Sequence, residues 1–386
     1  MSLITRNRLA TVAVALALAV TAGCSGGDNT EGVFPESSGA LAAGCENVDL
    51  TVESIGQAVP QRCEPGAPAA QRLAKPATVK IASNQFTGEY TSPIQVGMAM
   101  GEFEKEGLTI ELVNLPYVDA APQVSSGALD AAVGGFDSAF YSAVKQGLQL
   151  KAVTALQKSP HAGDTSIGQA GLWCRRDAFS SPANPNFAET AKMTWGSSVG
   201  KGSVGIIQAV IQLKDQFPNT DFNGIDVETV PVPDSVTAIN NKAIDCGYLI
   251  DPVWLGMNES DHVLVATQLA GVSASQVTFG PTLFKERPEV GVAFVRALLR
   301  TVNTYLADDY HADDSVMSAI EKFTKRPVAD LRKVDSLVFD PAIPSGATDV
   351  YQKAYIDMGI ITAFDTPIAE SELVDRRFLE RAYQAN

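Results

Sequence analysis

Residues 79–135 alternate strand-like and helix-like stretches, with a polar loop after each strand-like one. No other feature limits the fold as much. Residues 79–83 (VKIAS) are short and rich in β-formers. Residues 93–104 carry Ile94, Met98, Met100 and Phe103 at helical spacing; Gly107 follows, and residues 108–113 (LTIELV) alternate as a strand. Residues 123–129 read as a short helix and 131–135 (AAVGG) as a buried strand. Strands separated by helices pair in parallel with the helices laid across the sheet, so the fold class expected is α/β. Ligands of open α/β sheets bind beyond the carboxyl ends of the strands. Here those ends are Asn84, Gln85 and Phe86; Pro116, Tyr117 and Val118; and Phe136, Asp137 and Ser138. The stretch therefore reads as one half of a binding cleft.

The start of the chain has a different character. Arg6 and Arg8 precede an apolar run over residues 9–20, then Thr21, Ala22, Gly23 and Cys24. A basic head, a short apolar core and small residues describe a secretory signal. The run is shorter than the ~20 apolar residues of a membrane-spanning helix. The small residues ending in Cys24 resemble the lipobox of bacterial lipoproteins, although Thr21 stands where Leu is commoner. The resemblance implies cleavage after residue 23, lipidation of Cys24 and stable anchoring by more than one acyl chain.

Roughly 360 residues remain, enough for two domains. The formal net charge of -15 speaks against nucleic acid and against a polybasic membrane patch. Residues 24–75 are rich in Gly, Ser, Glu and Pro and read as an extension. In an exported chain Cys45 and Cys63, flanking a short polar loop, are expected to form a disulfide. Cys174 and Cys246 fall in two predicted strands, and both a bond and two buried thiols are open readings. His161, His262 and His311 lack ligand spacing, so no metal and no cofactor are expected.

Residues 147–156 read as another strand of the first lobe, and a second α/β unit follows. Its strands are predicted over residues 170–174, 193–196, 225–232 and 244–250, and a helix carries Ile206, Ile207, Val210, Ile211 and Leu213. Beyond Val277 the pattern turns helical, over 289–306, 314–323, 328–334 and 348–358. The expected layout is a signal (1–23), the extension (24–75), a first lobe (76–172 plus 255–386) and a second lobe (173–254).

Besides Asn84, Gln85, Phe86, Phe136, Asp137 and Ser138, the candidate ligand contacts are Ser197, Ser198, Lys201, Gly202 and Ser203 at a helix start, with Asp251 and Trp254 after a returning strand. Amides offer donors and acceptors, and rings offer stacking faces. Free N–H groups, the helix dipole and Lys201 would favour an anion at residues 197–203. Asp137 reads equally as a helix cap. Asp251 reads either as a partner for a cation or N–H donor, or as a hinge pin. There is no Walker pattern, which argues against nucleotide binding.

Several segments resemble, in order, the solute-binding proteins of ABC importers for nitrate, sulfonate, taurine and thiamine precursors. These are residues 99–108 (AMGEFEKEGL), 126–133 (SGALDAAV), 145–153 (KQGLQLKAV), 241–252 (NKAIDCGYLIDP), 358–361 (MGII) and 373–382 (LVDRRFLERA). The resemblance implies a two-lobe, hinged, type II periplasmic-binding-protein fold with C-terminal helices. It implies a non-enzymatic, lipid-anchored receptor on the extracytoplasmic face of the cell membrane, which passes a small organic acid, sulfonate or heteroaromatic solute to a permease driven by a separate ATPase. Two alternatives share the fold: an enzyme (a pyrimidine-precursor synthase or small-acid lyase), and a sensor or adhesin lipoprotein without a permease.

Overall fold

The computed structural model describes residues 34–36, 39–52, 54–55, 60–158 and 170–385. The expectations for the signal, Cys24 and His161 lie outside the described residues. No helix among the described residues is long and apolar enough to cross a membrane.

The alternating segment builds the first sheet. Strands β1 (Ala77–Ala82), β2 (Leu108–Val113) and β3 (Ala131–Gly135) are short and β-prone, and β1 pairs in parallel with both others. Helices α1 (Ser92–Ala99), α2 (Glu102–Glu106), α3 (Tyr117–Ser125) and α4 (Ser138–Lys145) connect them and lead on. The single helix expected over 93–104 is two, because Gly101 takes φ 73° between α1 and α2, a conformation glycine adopts without cost. The helix expected over 123–129 instead begins at Tyr117, directly after Pro116.

Strand β4 (Lys151–Ala155) ends the first pass, and the chain crosses to β5 (Gly171–Arg175). Strand β6 (Thr194–Ser197), helix α5 (Val204–Gln216), strand β7 (Asp226–Thr229), helix α6 (Ser235–Asn240), strand β8 (Cys246–Leu249) and strand β9 (His262–Thr267) complete a second sheet of order β7-β6-β8-β5-β9. The chain then returns as β10 (Ser275–Phe279), which inserts between β3 and β4 and runs antiparallel to both. The first sheet is therefore β2-β1-β3-β10-β4. Both sheets are mixed, where the alternation predicted parallel pairing. Strand β9 belongs to the second sheet, so that sheet extends past the expected boundary at residue 254.

The C-terminal helices are α7 (Pro288–Tyr305), α8 (Asp314–Thr324), α9 (Val328–Leu331), α10 (Ala347–Asp357), α11 (Glu370–Leu373) and α12 (Arg377–Tyr383). Helix α7 lies against α1, α2 and α12, and α10 lies against α5 of the second sheet. One apolar cluster is continuous from Phe136, Tyr351 and Tyr355 through Val204 and Ile207 to Trp195, so the two lobes share core.

The extension over residues 60–75 is docked on the first lobe. The Asn303 amide donates to the Ala67 carbonyl at 3.0 Å, Gly66 N–H donates to Thr304 Oγ1 at 2.9 Å, and Leu73 N–H donates to the Glu106 carbonyl at 2.8 Å. A disulfide ties Cys45 to Cys63 of this segment, and Cys174 and Cys246 form a second one across β5 and β8, where they are register partners.

Beneath the extension lies a buried ion cluster. Arg300 donates from Nε to Glu102 at 2.6 Å, from Nη1 to Glu106 at 2.7 Å and from Nη1 to the Pro68 carbonyl at 3.1 Å; Arg296 reaches Glu106 at 2.8 Å. All four side chains are at most 4 % exposed. Lys105 also reaches Glu102, at 2.6 Å, so losing Arg300 leaves each carboxylate one cation but removes the buried donor that bridges the two. Arg300→Met should lower the free energy of urea unfolding by ~1–3 kcal/mol, the cost of the hydrogen bonds it leaves unmade; no measurable loss would show that Arg296 and Lys105 suffice. Replacing Cys174 and Cys246 together by Ala should cost ~2–4 kcal/mol, since the bond closes a loop of 72 residues in the unfolded chain.

Candidate functional site

A cavity lies where the two sheets face each other, with about 720 Å³ of atom-free space counting its open mouth. The first lobe contributes Gln85, Tyr90 and Asp137, and the second contributes Ser197, Ser198 and Tyr248. Each follows from local structure. Gln85 sits just past β1, its N–H donating to Ser83 Oγ at 3.2 Å. Asp137 follows β3 and precedes α4. Ser197 ends β6, and Ser203 caps α5, accepting from Gly205 N–H at 3.2 Å. The site is thus built at strand ends, where α/β sheets leave backbone groups and loops free for a ligand.

Gln85–Ser198 and Val204–Asp137 hydrogen bonds join the facing walls. The Gln85 amide donates to Ser198 Oγ at 2.8 Å, and its Oε1 accepts from Tyr90 OH at 3.1 Å. Val204 N–H, in the first turn of α5, donates to Asp137 Oδ1 at 2.7 Å. The lobes approach closely enough that a Cβ on Gly202 would stand 2.3 Å from Ser138 Oγ, and one on Gly135 would stand 2.9 Å from Val204 Cγ1. Burial pushes the Asp137 carboxyl up to about 6, against the lowering effect of the N–H groups of Val204 and Gly135.

The expected anion cradle at 197–203 is not assembled. The N–H of Val204 is held by Asp137, a carboxylate of the opposite lobe, and Lys201 turns away to donate to the Asn223 carbonyl at 2.8 Å. Gly202 and Ser138 meet each other across the cleft, outside the cavity wall. Asn84 is exposed and off the wall. Phe86 packs against the core beneath α1, its carbonyl bonded by the Gln95 amide. Phe136 is fully buried, its ring stacked on Tyr351 with centroids 5.9 Å apart. Neither ring faces the cleft, because each finds more apolar surface inside its lobe.

Trp254 likewise stacks on Trp173 in the second lobe, at 6.2 Å and 5° between planes. Its indole N–H donates to Asp251 Oδ1 at 2.6 Å. Asp251 lies behind the cavity wall formed by Leu249, Ile250 and Val253. Its carbonyl accepts from Glu89 N–H of the first lobe at 3.1 Å, and its Oδ2 has no hydrogen-bond partner. Asp251 thus contacts Trp254 and the first lobe and is not on the cavity wall.

Sequence reading missed a polar relay behind the wall. Tyr248 OH donates to Gln208 Oε1 at 3.2 Å, Gln208 Nε2 donates to Tyr351 OH at 2.7 Å, and Tyr351 OH donates to the Ser273 carbonyl at 3.1 Å. Gln208 is fully buried in the middle of α5, and a polar residue inside an apolar helical run was the one signal for it.

Burial pushes the Asp251 carboxyl up to about 6; the Trp254 N–H opposes this and the Glu89 charge adds to it. A carboxyl whose folded pKa lies above its unfolded value of about 4 stabilises the fold when protonated, and that stabilisation is lost as pH rises from about 4 to 6. Asp251→Asn keeps the acceptor for Trp254 and removes the charge. Its stability relative to the unchanged protein should therefore rise by ~1–3 kcal/mol above pH 6.5 and match it near pH 4, in urea melts at both values. An equal difference at both pH values would show that the charge is not the cause.

No protein-family model matches the sequence, and no curated protein matches it significantly. Solved structures do match. The ligand-binding component of an ABC-type import system from Staphylococcus aureus, with zinc bound, superposes with a TM-score of 0.61 at 11 % identity, over 80 % of this chain and 100 % of that one. The nitrate-binding protein NrtA from Synechocystis PCC 6803 gives 0.58 at 11 % identity, over 81 % and 89 %. The alkanesulfonate-binding protein SsuA from Xanthomonas axonopodis pv. citri, bound to MOPS, gives 0.55 at 14 % identity, over 80 % and 99 %. At these identities the likeness is one of fold: the chain has the two-lobe periplasmic-binding-protein architecture of these solute-binding proteins.

Proposed function

We propose that this chain is the solute-receiving component of an ABC importer, a binding protein without turnover. The observation that carries the reading is the cavity walled by both sheets, Gln85 and Asp137 on one side and Ser198 and Tyr248 on the other. A small organic solute seated there would touch both lobes and so favour their closed arrangement over any open one. Residues 156–158, which leave the first sheet, and residues 268–275, which return to it and bond to them, would act as the hinge, within lobes at about 76–172 plus 255–386 and 173–254, with the second reaching Thr267. The neighbours described as binding sulfonate and nitrate support the general role. The segment ending at Cys24 supports export, cleavage after residue 23 and lipid anchoring at the extracytoplasmic membrane face, where a permease and its ATPase would be the partners.

Two measurements check this. Ser198→Trp places a large ring in the cleft, so it should abolish retention of small molecules by the purified protein while the far-ultraviolet circular dichroism stays unchanged. Retention equal to that of the unchanged protein would place the ligand elsewhere. Cys24→Ser should eliminate incorporation of labelled palmitate in expressing cells and release the protein from the membrane fraction; a variant that stays labelled and membrane-bound would refute the anchor.

A further inference from the structure

The charge on the cavity wall is the feature the fold does not explain. Among the described residues that line it, Asp137 is the one ionised side chain, and neither Lys nor Arg faces in. The two lysines nearest the wall in sequence are committed: Lys201 to the Asn223 carbonyl, and Lys158, nearly fully buried, to Asp340 at 3.0 Å. The rest of the polar wall is neutral: the amides of Gln85, Gln157 and Gln268 and hydroxyls such as Ser198 and Ser235. These groups supply both donors and acceptors.

The N-terminal turn of α5 is the place where this wall could receive an anion. Its Val204 N–H already donates to Asp137, itself 7 % exposed, and its Gly205 N–H donates to Ser203 Oγ. A ligand oxyanion would have to displace the Asp137 carboxylate or sit beside it. Two like charges ~4 Å apart in a partly desolvated site repel strongly enough to weaken binding by about a thousandfold. A ligand cation gains little either, because the positive end of α5 offsets roughly half a charge of that carboxylate.

We propose that the cleft selects an uncharged organic solute rich in hydrogen-bonding groups and rejects oxyanions, with the Asp137 carboxylate as the excluding group and the glutamine amides and serine hydroxyls as the contacts. The inference rests on the solute-binding reading and narrows it: of the solute classes the sequence suggests, organic acids and sulfonates drop out. Asp137 thus acts as a specificity determinant by occupying the helix start that an anion would need.

The test uses the full-length protein, exhaustively dialysed and exposed to three probe mixtures at pH 7.5. These are neutral (uracil, thymine, inositol, glucose), oxyanionic (nitrate, ethanesulfonate, succinate) and cationic (choline, putrescine). Retained molecules are read by mass spectrometry after rapid gel filtration, beside the Ser198→Trp variant as the filled-cleft control. The expected result is retention from the neutral mixture alone, lost in Ser198→Trp. Asp137→Asn, which keeps the acceptor for Val204 N–H, should raise retention of the oxyanions at least tenfold. Retention of an oxyanion or a cation by the unchanged protein, lost in Ser198→Trp, would overturn this inference and leave the solute-binding reading intact. An Asp137→Asn variant that gains no oxyanion binding would remove Asp137 as the excluding group. Retention from none of the mixtures would overturn the solute-binding reading and this inference with it.

Discussion

The two sheets are held in register by two chain segments that cross between them side by side. Residues 156–158 leave the first sheet and residues 268–275 return to it. Ser273 Oγ donates to the Gln157 carbonyl at 2.5 Å, Gln157 N–H donates to Ser275 Oγ at 3.3 Å, and the Gln157 amide donates to Gln268 Oε1 at 3.1 Å. Lys158 fastens this crossing to the C-terminal region through Asp340, in an ion pair where both side chains are at most 4 % exposed. Such a pair adds little net stability over apolar packing, but losing either partner leaves a buried charge, so it fixes one arrangement. The crossing sets where Gln85 and Asp137 stand relative to Ser198 and Val204, and so determines the cavity.

The cavity and the crossing are physically joined. Tyr248 on the wall, Gln208 inside α5, Tyr351 on α10 and the carbonyl of Ser273 form one hydrogen-bonded line from the cavity to the crossing segment. On the other side, Asp251 touches Glu89 through its backbone, and Glu89 Oε1 accepts from Tyr310 OH and pairs with His311 Nε2, each at 2.6 Å. Buried polar groups linked in this way hold geometry, because any displacement leaves one of them unsatisfied. The position of α10, packed on α5 from the C-terminal region, makes that geometry depend on residues far along the chain.

Much of the fold was legible because it rests on local patterns. Strands β1 to β3, the apolar run of α5 and the long helix α7 each carry a periodicity that needs no tertiary context. Strand β10 did not show. Ser275, Gln276 and Thr278 are polar yet buried, since a strand inserted between β3 and β4 satisfies its own backbone and hides its side chains on both faces. The site divided the same way. Of the candidate contacts, Gln85, Asp137, Ser197, Ser198 and Ser203 line the cavity, because strand ends and helix starts are local features. Phe86, Phe136 and Trp254 are off its wall because the direction of a ring depends on partners distant in sequence, such as Tyr351 for Phe136. The anion cradle failed for a related reason: its occupant, Asp137, comes from the other lobe.

The account stands on one small molecule held between Gln85 and Tyr248 by groups of both lobes. A crystal structure of the protein with its retained solute measures this directly. The account predicts density for one molecule in that cleft, within hydrogen-bonding distance of at least one side chain from each sheet. A solute seated instead in the groove between Leu50, Ile343 and Tyr383, with the cleft filled by water, would contradict it.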